Sequence, residues 1–365
     1  KVSGQILVSG PTFDEAGNFT LDRLRGGMTL TETALQIAGA DVKIETPVNI
    51  AFEEMQIRIN NTRFTGSGID LSLGGAFALK GESGMNFSLK GLVNLSQLPA
   101  FDSGVLLSGL VGLDLQMKGT GDNPDVKGRI DLNGVGFTSN DWPVFISGGF
   151  GQLILSGDEV RLDNFKANAN DGTIEASGLM KLAKLRPSEW KYNIKAENTS
   201  IDYQNISATV NGSLSLSGNT QGQTLSGNIA IPQAEYVPDI DLDNLLSTGR
   251  NGLSFSGLRT SGETTGKSGF PPVNLNIRVD ARDSLIVRNK QIDTVGSGLI
   301  TLSGSITDPN FTGRIEADGG SVRFRGQRYE ITVGHLELPI ANGTPLLNLL
   351  AESQYSGYRV TLGFV

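Results

Sequence analysis

The sequence predicts an all-β fold: an elongated, curved, mostly antiparallel repeat sheet with few short helices. Three observations predict it. Apolar and polar residues alternate through most of the chain, as in Ile57/Ile59, Leu71/Leu73, Leu153/Leu155, Leu275/Ile277/Val279 and Ile331/Val333; period two puts one apolar face against one polar face of a strand. Glycine is abundant, 48 of 365 residues, and with Ser, Thr, Asn and Asp it fills the gaps between short apolar segments, the punctuation of many strands joined by turns. The third observation is an internal repeat.

The fullest copy of the repeat runs from Leu299 to Val322. Ile300 and Leu302 precede Gly304, a polar turn with Asp308 and Pro309 follows, Gly313 comes nine residues after Gly304, Ile315 comes next, and Val322 lies nine past Gly313. The same frame reads Leu115, Met117, Gly119, Asp122, Pro124, Gly128, Ile130, Leu132, Phe137, and again Leu214, Leu216, Gly218, Gly227, Ile229, Ile231, Tyr236. Gly4, Ile6, Val8 and Phe13 match the back half of a fourth copy. Fixed spacing at such intervals is a repeat signal, and stacked units build one continuous sheet without separate cores. Gly128, Gly227 and Gly313 fall within or just ahead of strand-like runs, where glycine marks a bulge or bend; matching bends would curve the sheet the same way in each unit.

The elements follow in order. The leading copy opens the chain, and strand patterns continue to Leu92. The stretch from Leu95 to Leu106 is a poor helix because of Pro99 and Gly104, while Leu242–Leu246 and Leu346–Glu352 are each expected to make a short one. Residues 249–272, rich in Gly, Ser and Thr and ending in Pro271-Pro272, read as a flexible loop. The longest apolar run, Val105 to Leu113, is interrupted by Ser108, Gly109 and Gly112, and no segment approaches the about 18 residues that span a bilayer as a helix. The chain begins with Lys1 in mid-repeat and is expected to be a segment of a longer protein.

Composition excludes several function classes. A net charge of −8 argues against nucleic acid and against an anionic bilayer surface as the main partner. The absence of cysteine excludes disulfides, thiol chemistry and Cys-ligated metal. Gly262-Glu263-Thr264-Thr265-Gly266-Lys267-Ser268 resembles a phosphate loop but has Ser261 where glycine is needed, and Gly269, Pro271 and Pro272 forbid the following helix. Pro238 to Asn244 alternates aspartates as a calcium loop does, but the glycine and closing glutamate positions hold Asn244 and Arg250. His335, the single histidine, lies in a strand-like run in phase with Ile331 and Val333 and reads as a sheet-surface residue. Acidic residues alternate with apolar ones, as Glu175 and Glu316 do, so they read as a solvated face and not as catalytic pairs. No catalytic residue, cofactor site or metal site is expected.

What remains is the apolar face itself. Roughly 25 strands at about 4.8 Å spacing would carry on the order of 2,000 Å² of it, whereas the largest patch on a typical monomer is about 300–600 Å². A second sheet, a sheet folded over on itself, or an apolar ligand has to cover it. Aromatics make up 7% of the chain, few for a sandwich core. The candidate lining is Ile130, Leu132, Leu214, Leu216, Ile229, Ile231, Leu275, Ile277, Val279, Ile300, Leu302, Ile315, Ile331 and Val333.

Residues 272–365 resemble the C-terminal region of the TamB family, within the wider AsmA-like group. The match is carried by P-V-N-L-N-I-R-V-D-A-R-D-S-L-I-V-R-N (272–289), the Gly304–Gly313 unit, D-G-G-S-V-R-F-R-G-Q-R-Y-E-I-T-V-G-H-L-E-L-P (318–339) and P-L-L-N-L-L-A-E-S (345–353). Residues 1–271 carry only the looser AsmA-like repeat, and the whole of 1–365 is expected to form one continuous elongated β-trough. The resemblance implies a long sheet rolled into an apolar trough, a β-taco, in a periplasmic protein held in the inner membrane of double-membraned bacteria by an anchor that lies outside this sequence. It implies a non-enzymatic conduit for phospholipid acyl chains between inner and outer membrane. The alternative is a scaffold or chaperone for outer-membrane β-barrel or autotransporter assembly, with a TamA-type barrel as partner of the full-length protein. An adhesin or sugar-binding reading has only Trp142 and Trp190, far apart in sequence, to rest on.

Overall fold

The computed structural model describes residues 2–10, 13, 16, 18, 25–37, 39–45, 47–53, 55–78, 84–99, 104–120, 123–139, 143–203, 205–237, 271–306, 308–338 and 346–364. The expected loop at 249–272, the phosphate-loop-like and calcium-loop-like stretches, the helix at Leu242–Leu246 and Trp142 fall wholly or almost wholly outside these residues. The chain divides into two compact units, one of residues 1–168 and 175–189, the other of 169–174 and 190–365.

In the first unit the strands are β1 (Val2–Ser9), β2 (Arg25–Ile37), β3 (Ala40–Ile44), β4 (Val48–Glu53), β5 (Gln56–Gly66), β6 (Ile69–Ala78), β7 (Met85–Asn94), β8 (Val105–Gly119), β9 (Pro124–Ser139) and β10 (Ile146–Gly157). They pair antiparallel, β1 to β2 and then successively from β4 to β10; β3 and β4 act as one interrupted strand between β2 and β5. Strands β11 (Glu159–Ala169), β12 (Gly172–Ala183) and β13 (Arg186–Tyr203) contribute residues to one unit or the other. The second unit adds β14 (Ile206–Asn219), β15 (Gln223–Tyr236), β16 (Val273–Arg288), β17 (Ile292–Ser305), β18 (Asp308–Phe324), β19 (Gln327–Leu338), β20 (Leu346–Tyr355) and β21 (Tyr358–Phe364). These also pair in order and antiparallel, except for the parallel ladder between β15 and β16.

The all-β prediction holds. Among the described residues the only helix is a 3-10 turn, Leu95–Gln97, whose first free N–H is capped by the Asn94 side chain. The short helix expected at Leu346–Glu352 is instead the first part of β20. Its leucines suit a helix, but β19 and β21 offer ladders on both sides, and pairing outweighs a propensity worth tenths of a kcal/mol per residue.

Each repeat copy is one antiparallel hairpin: β8–β9, β14–β15 and β17–β18. The residue four before the first glycine lies opposite the second glycine in every copy: Leu115 opposite Gly128, Leu214 opposite Gly227, Ile300 opposite Gly313. Those second glycines are not bulges, for the register runs unbroken past them. Their φ values are +143°, +143° and +144°, a conformation that L side chains rarely adopt, and a Cβ on each would stand 2.1 or 2.2 Å from a carbonyl oxygen of the neighbouring strand.

Bulges lie elsewhere. In the second unit the register shifts between Thr209 and Asn211, between Ala230 and Ala234, between Ala281 and Leu285, between Val295 and Gly296, and between Ile331 and Val333. Because these positions are paired from strand to strand, they form one row across the sheet, and a bulge bends the strand that carries it. Small residues occupy this crease: Ala234, Ala281, Gly296, Gly298 and Ala351. A side chain on Gly298 would meet Leu285 Cδ1 at 3.2 Å and Ile315 Cγ1 at 3.3 Å, so larger neighbours already fill the fold line. The buried core of this unit follows the same row, with Ala281 and Ala351 almost fully enclosed and Val322 between Ile292 and Tyr329. In the first unit the core is Ala40, Val42, Ile69 and Leu71, packed with Phe64, Leu89, Val93, Leu98 and Leu113.

Candidate functional site

Residues directly opposed in a ladder share a face, so the registers assign the side chains of paired residues to one face or the other. In the first unit Ile130 lies between Leu113 and Leu153, and Leu132 lies opposite Val111. Their face continues through Met117, Phe87, Leu89 and Leu73 to Phe77, Ile57 and Ile50.

In the second unit the rows run across the strands. Leu216, Leu225 and Leu275 form one row; Leu214, Gly227, Ile277, Leu302 and Phe311 form the next; Ile229, Val279, Ile300, Gly313 and Leu338 form a third. Ile315 lies between Gly298 and Leu336, and Ile331 lies opposite Ala351. Ile277 and Val279 are buried, while the other members of these rows that the sequence predicted are half-buried.

Two predicted residues are placed differently. Ile231 sits inside the β15 bulge, where no ladder partner fixes its direction. Val333 follows the β19 bulge and lies opposite Leu350 on the other face, 40% exposed. A single inserted residue reverses every later side chain, so strict alternation from Ile331 carried the reading onto the wrong face. For the same reason His335 is in phase with Val333 and not with Ile331. It lies opposite Glu316 on the polar face, its Nε2 4.0 Å from Glu337.

Sequence reading missed Leu225, Phe311, Val322 and Leu336. A signal for Val322 was available. In all three copies the residue nine past the second glycine (Phe137, Tyr236, Val322) shares that glycine's face, although nine is odd. An odd offset between two inward residues requires a bulge between them.

The opposite face is charged and solvated. Lys90 pairs with Asp114 at 3.1 Å, Arg63 with Asp70 at 2.8 Å and Arg288 with Asp293 at 3.1 Å, while Arg314–Glu316 and Arg328–Glu330 pair along one strand at 2.9 Å. The hydrogen bonds from Arg63 hold the Asp70 carboxyl below the usual range, and those from Arg282 do the same for Asp280. Exposed pairs of this kind contribute little stability, about 0–1 kcal/mol each; they keep this face in water. On the apolar side, by contrast, Trp190 donates its indole N–H to Oε1 of the buried Gln223 at 3.1 Å, Gln223 sharing the face of Leu225.

Within each unit, substantial tertiary contact among the described strands joins ladder neighbours, apart from a lesser contact between β8 and β10. Within each unit, none of the strands so paired forms a second layer over the apolar rows. The arrangement can bury extended apolar matter by area, at about 25 cal/mol per Å², without directional bonds. Among the described residues no helix is long and apolar enough to cross a membrane.

No curated protein matches the chain. The sequence model of the TamB C-terminal domain matches residues 163–362, from within β11 to within β21. That is more than half of the chain, and it takes in the bulge row and the inward residues from Leu214 to Ile331. The chain belongs to the TamB family.

Proposed function

We propose that the apolar rows are the wall of a periplasmic conduit that carries phospholipids between the inner and outer membranes without chemical change. Within each unit inward residues share one face from strand to strand, with no second layer of that unit's paired strands over them; this observation carries the reading. Acyl chains would lie along the rows, each buried CH₂ contributing about 0.8 kcal/mol. Neighbouring rows are chemically alike, so that energy changes little as a chain moves from one to the next. An anchor in the inner membrane and a TamA-type barrel at the outer membrane belong to the full-length protein in this proposal, as the family resemblance implies.

The test is a pair of photocrosslinkers on β17. Leu302 faces Ile277 and Phe311, while Thr301 faces Arg278 and Thr312 on the other side. Lipid should crosslink at Leu302 and not at Thr301. Equal lipid crosslinking at both would sink the proposal, and crosslinking to unfolded barrel protein with no lipid at either position would favour an assembly scaffold.

A further inference from the structure

The two rims of the second unit differ in charge, although composition alone makes the chain acidic. At one rim lie the hairpin tips β16–β17, β18–β19 and β20–β21 and the end of β15. It carries Arg288, Lys290, Arg323, Arg325, Arg328 and Arg359, all exposed. At the other rim the tips β14–β15 and β17–β18 hold Asn219, Thr220, Gln221, Ser305 and Asp308, with no cation among the described residues.

Three of the six cations have carboxylate partners: Arg288 with Asp293, Arg328 with Glu330, and Arg359 with Glu352 at 3.6 Å. Lys290, Arg323 and Arg325 have none among the described residues, and Arg325 lies over the Phe324 ring at 5.3 Å. The Arg323 backbone N–H donates to the Gln291 carbonyl at 2.6 Å, which brings the β16–β17 tip beside β18. Arg323 lies directly opposite Arg328 and so shares the outer, solvated face with it, whereas Lys290 and Arg325 sit in the turns at the rim itself.

The inner side of this rim is aromatic. Tyr236, Phe324, Tyr355 and Tyr358 lie on the apolar face at the strand ends, and Tyr355 and Tyr358, opposite each other, are 65% and 76% exposed. On the apolar face, passing outward from the crease, the surface changes from aliphatic to aromatic, and the cations Lys290 and Arg325 follow in the turns. Rings with a polar edge favour the boundary between acyl chains and water, and exposed lysine and arginine attract lipid phosphates. That is the order of groups along a phospholipid from tail to headgroup.

We propose that this rim is a headgroup rail: Lys290 and Arg325, in the turns beyond the strand ends, bind the phosphates of lipids whose tails lie on the apolar rows beside them. The proposal rests on the conduit reading. Hairpin tips two strands apart repeat at about 10 Å, so the rail offers successive phosphate positions and orients each lipid with its headgroup toward one rim.

The test compares phosphatidylglycerol with diacylglycerol of the same acyl chains, presented to the purified chain in mixed micelles, with bound lipid counted by native mass spectrometry. The unsubstituted chain should prefer phosphatidylglycerol about tenfold, since each exposed cation beside a phosphate contributes several-fold. The double variant K290Q/R325Q should lose that preference and bind diacylglycerol as before. A control double among the exposed cations of β11, R161Q/K166Q, should keep it. Retained preference in the rim double, equal loss in the control, or competition by tail-free glycerol phosphate as strong as by the lipid would each overturn the rail. If the unsubstituted chain binds neither lipid, the conduit reading fails and the rail with it; if it binds both equally, the rail alone fails.

Discussion

A single glycine shows how the backbone sets the repeat. Gly313 stands in an unbroken ladder at φ +144°, with the Leu299 carbonyl oxygen 2.1 Å from where a Cβ would be. Gly313→Ala would force an L residue into that conformation against backbone that cannot swing aside. It should cost about 2–4 kcal/mol, read as a lower midpoint in urea unfolding. Gly326→Ala, at a hairpin tip with open space around it, should cost clearly less. The nine-residue spacing was legible in the sequence because glycine has no substitute at such a position. Of the bulge or bend expected there, the bulge is absent, since residue identity does not separate positive φ from an inserted residue. Charge gives a second prediction. Asp70 titrates below its ordinary value because Arg63 donates hydrogen bonds to it. Its contribution is therefore present at neutral pH and lost as pH falls through that lowered value. Arg63→Met should reduce thermal stability slightly at pH 7, and by progressively less as pH falls below the ordinary carboxylate value; a larger loss in acid than at pH 7 would contradict the sign.

The strand is the scale at which alternation succeeds and then fails. It placed Leu275, Ile277, Val279, Ile300 and Leu302 together on one face because β16 and β17 are regular there. It misplaced Val333 because β19 takes one extra residue after Ile331. Propensity erred in the same way at Leu346–Glu352, where the partner strands and not the local sequence decide the conformation. The aligned bulges were recorded in the odd offset shared by Phe137, Tyr236 and Val322, though only the registers revealed its meaning. The crease they form tolerates small side chains alone. Ala281→Leu, at 2% exposure opposite Gly298, should overpack it by about 1–3 kcal/mol, whereas Leu302→Met on the half-buried flank should cost under about 1.5 kcal/mol. Urea unfolding of the two variants checks the ordering, and equal costs would mean that the crease is not tightly filled.

For the whole molecule, the fold class was legible from periodicity, glycine content and repeats. Much of the candidate wall was too, since most of the residues predicted to line it lie in the inward rows. The cationic rim was not legible. Its charges lie on separate hairpins between residues 288 and 359, and a net charge of −8 conceals them. Within each unit the rows present one face of one chemistry, so tail binding belongs to that face and to no individual residue of it. Substituting one inward residue with a polar one, as in Leu302→Gln, should therefore lower lipid occupancy only partly, whereas a row of such changes at Leu214, Leu302 and Phe311 should abolish it. The most direct test is native mass spectrometry of the chain purified from a bacterial envelope without added lipid. Two-chained phospholipids should be bound to the native chain and absent from the row variant, with the strand content of both unchanged by circular dichroism. A native chain that carries no lipid, or a folded row variant that carries as much, would contradict it.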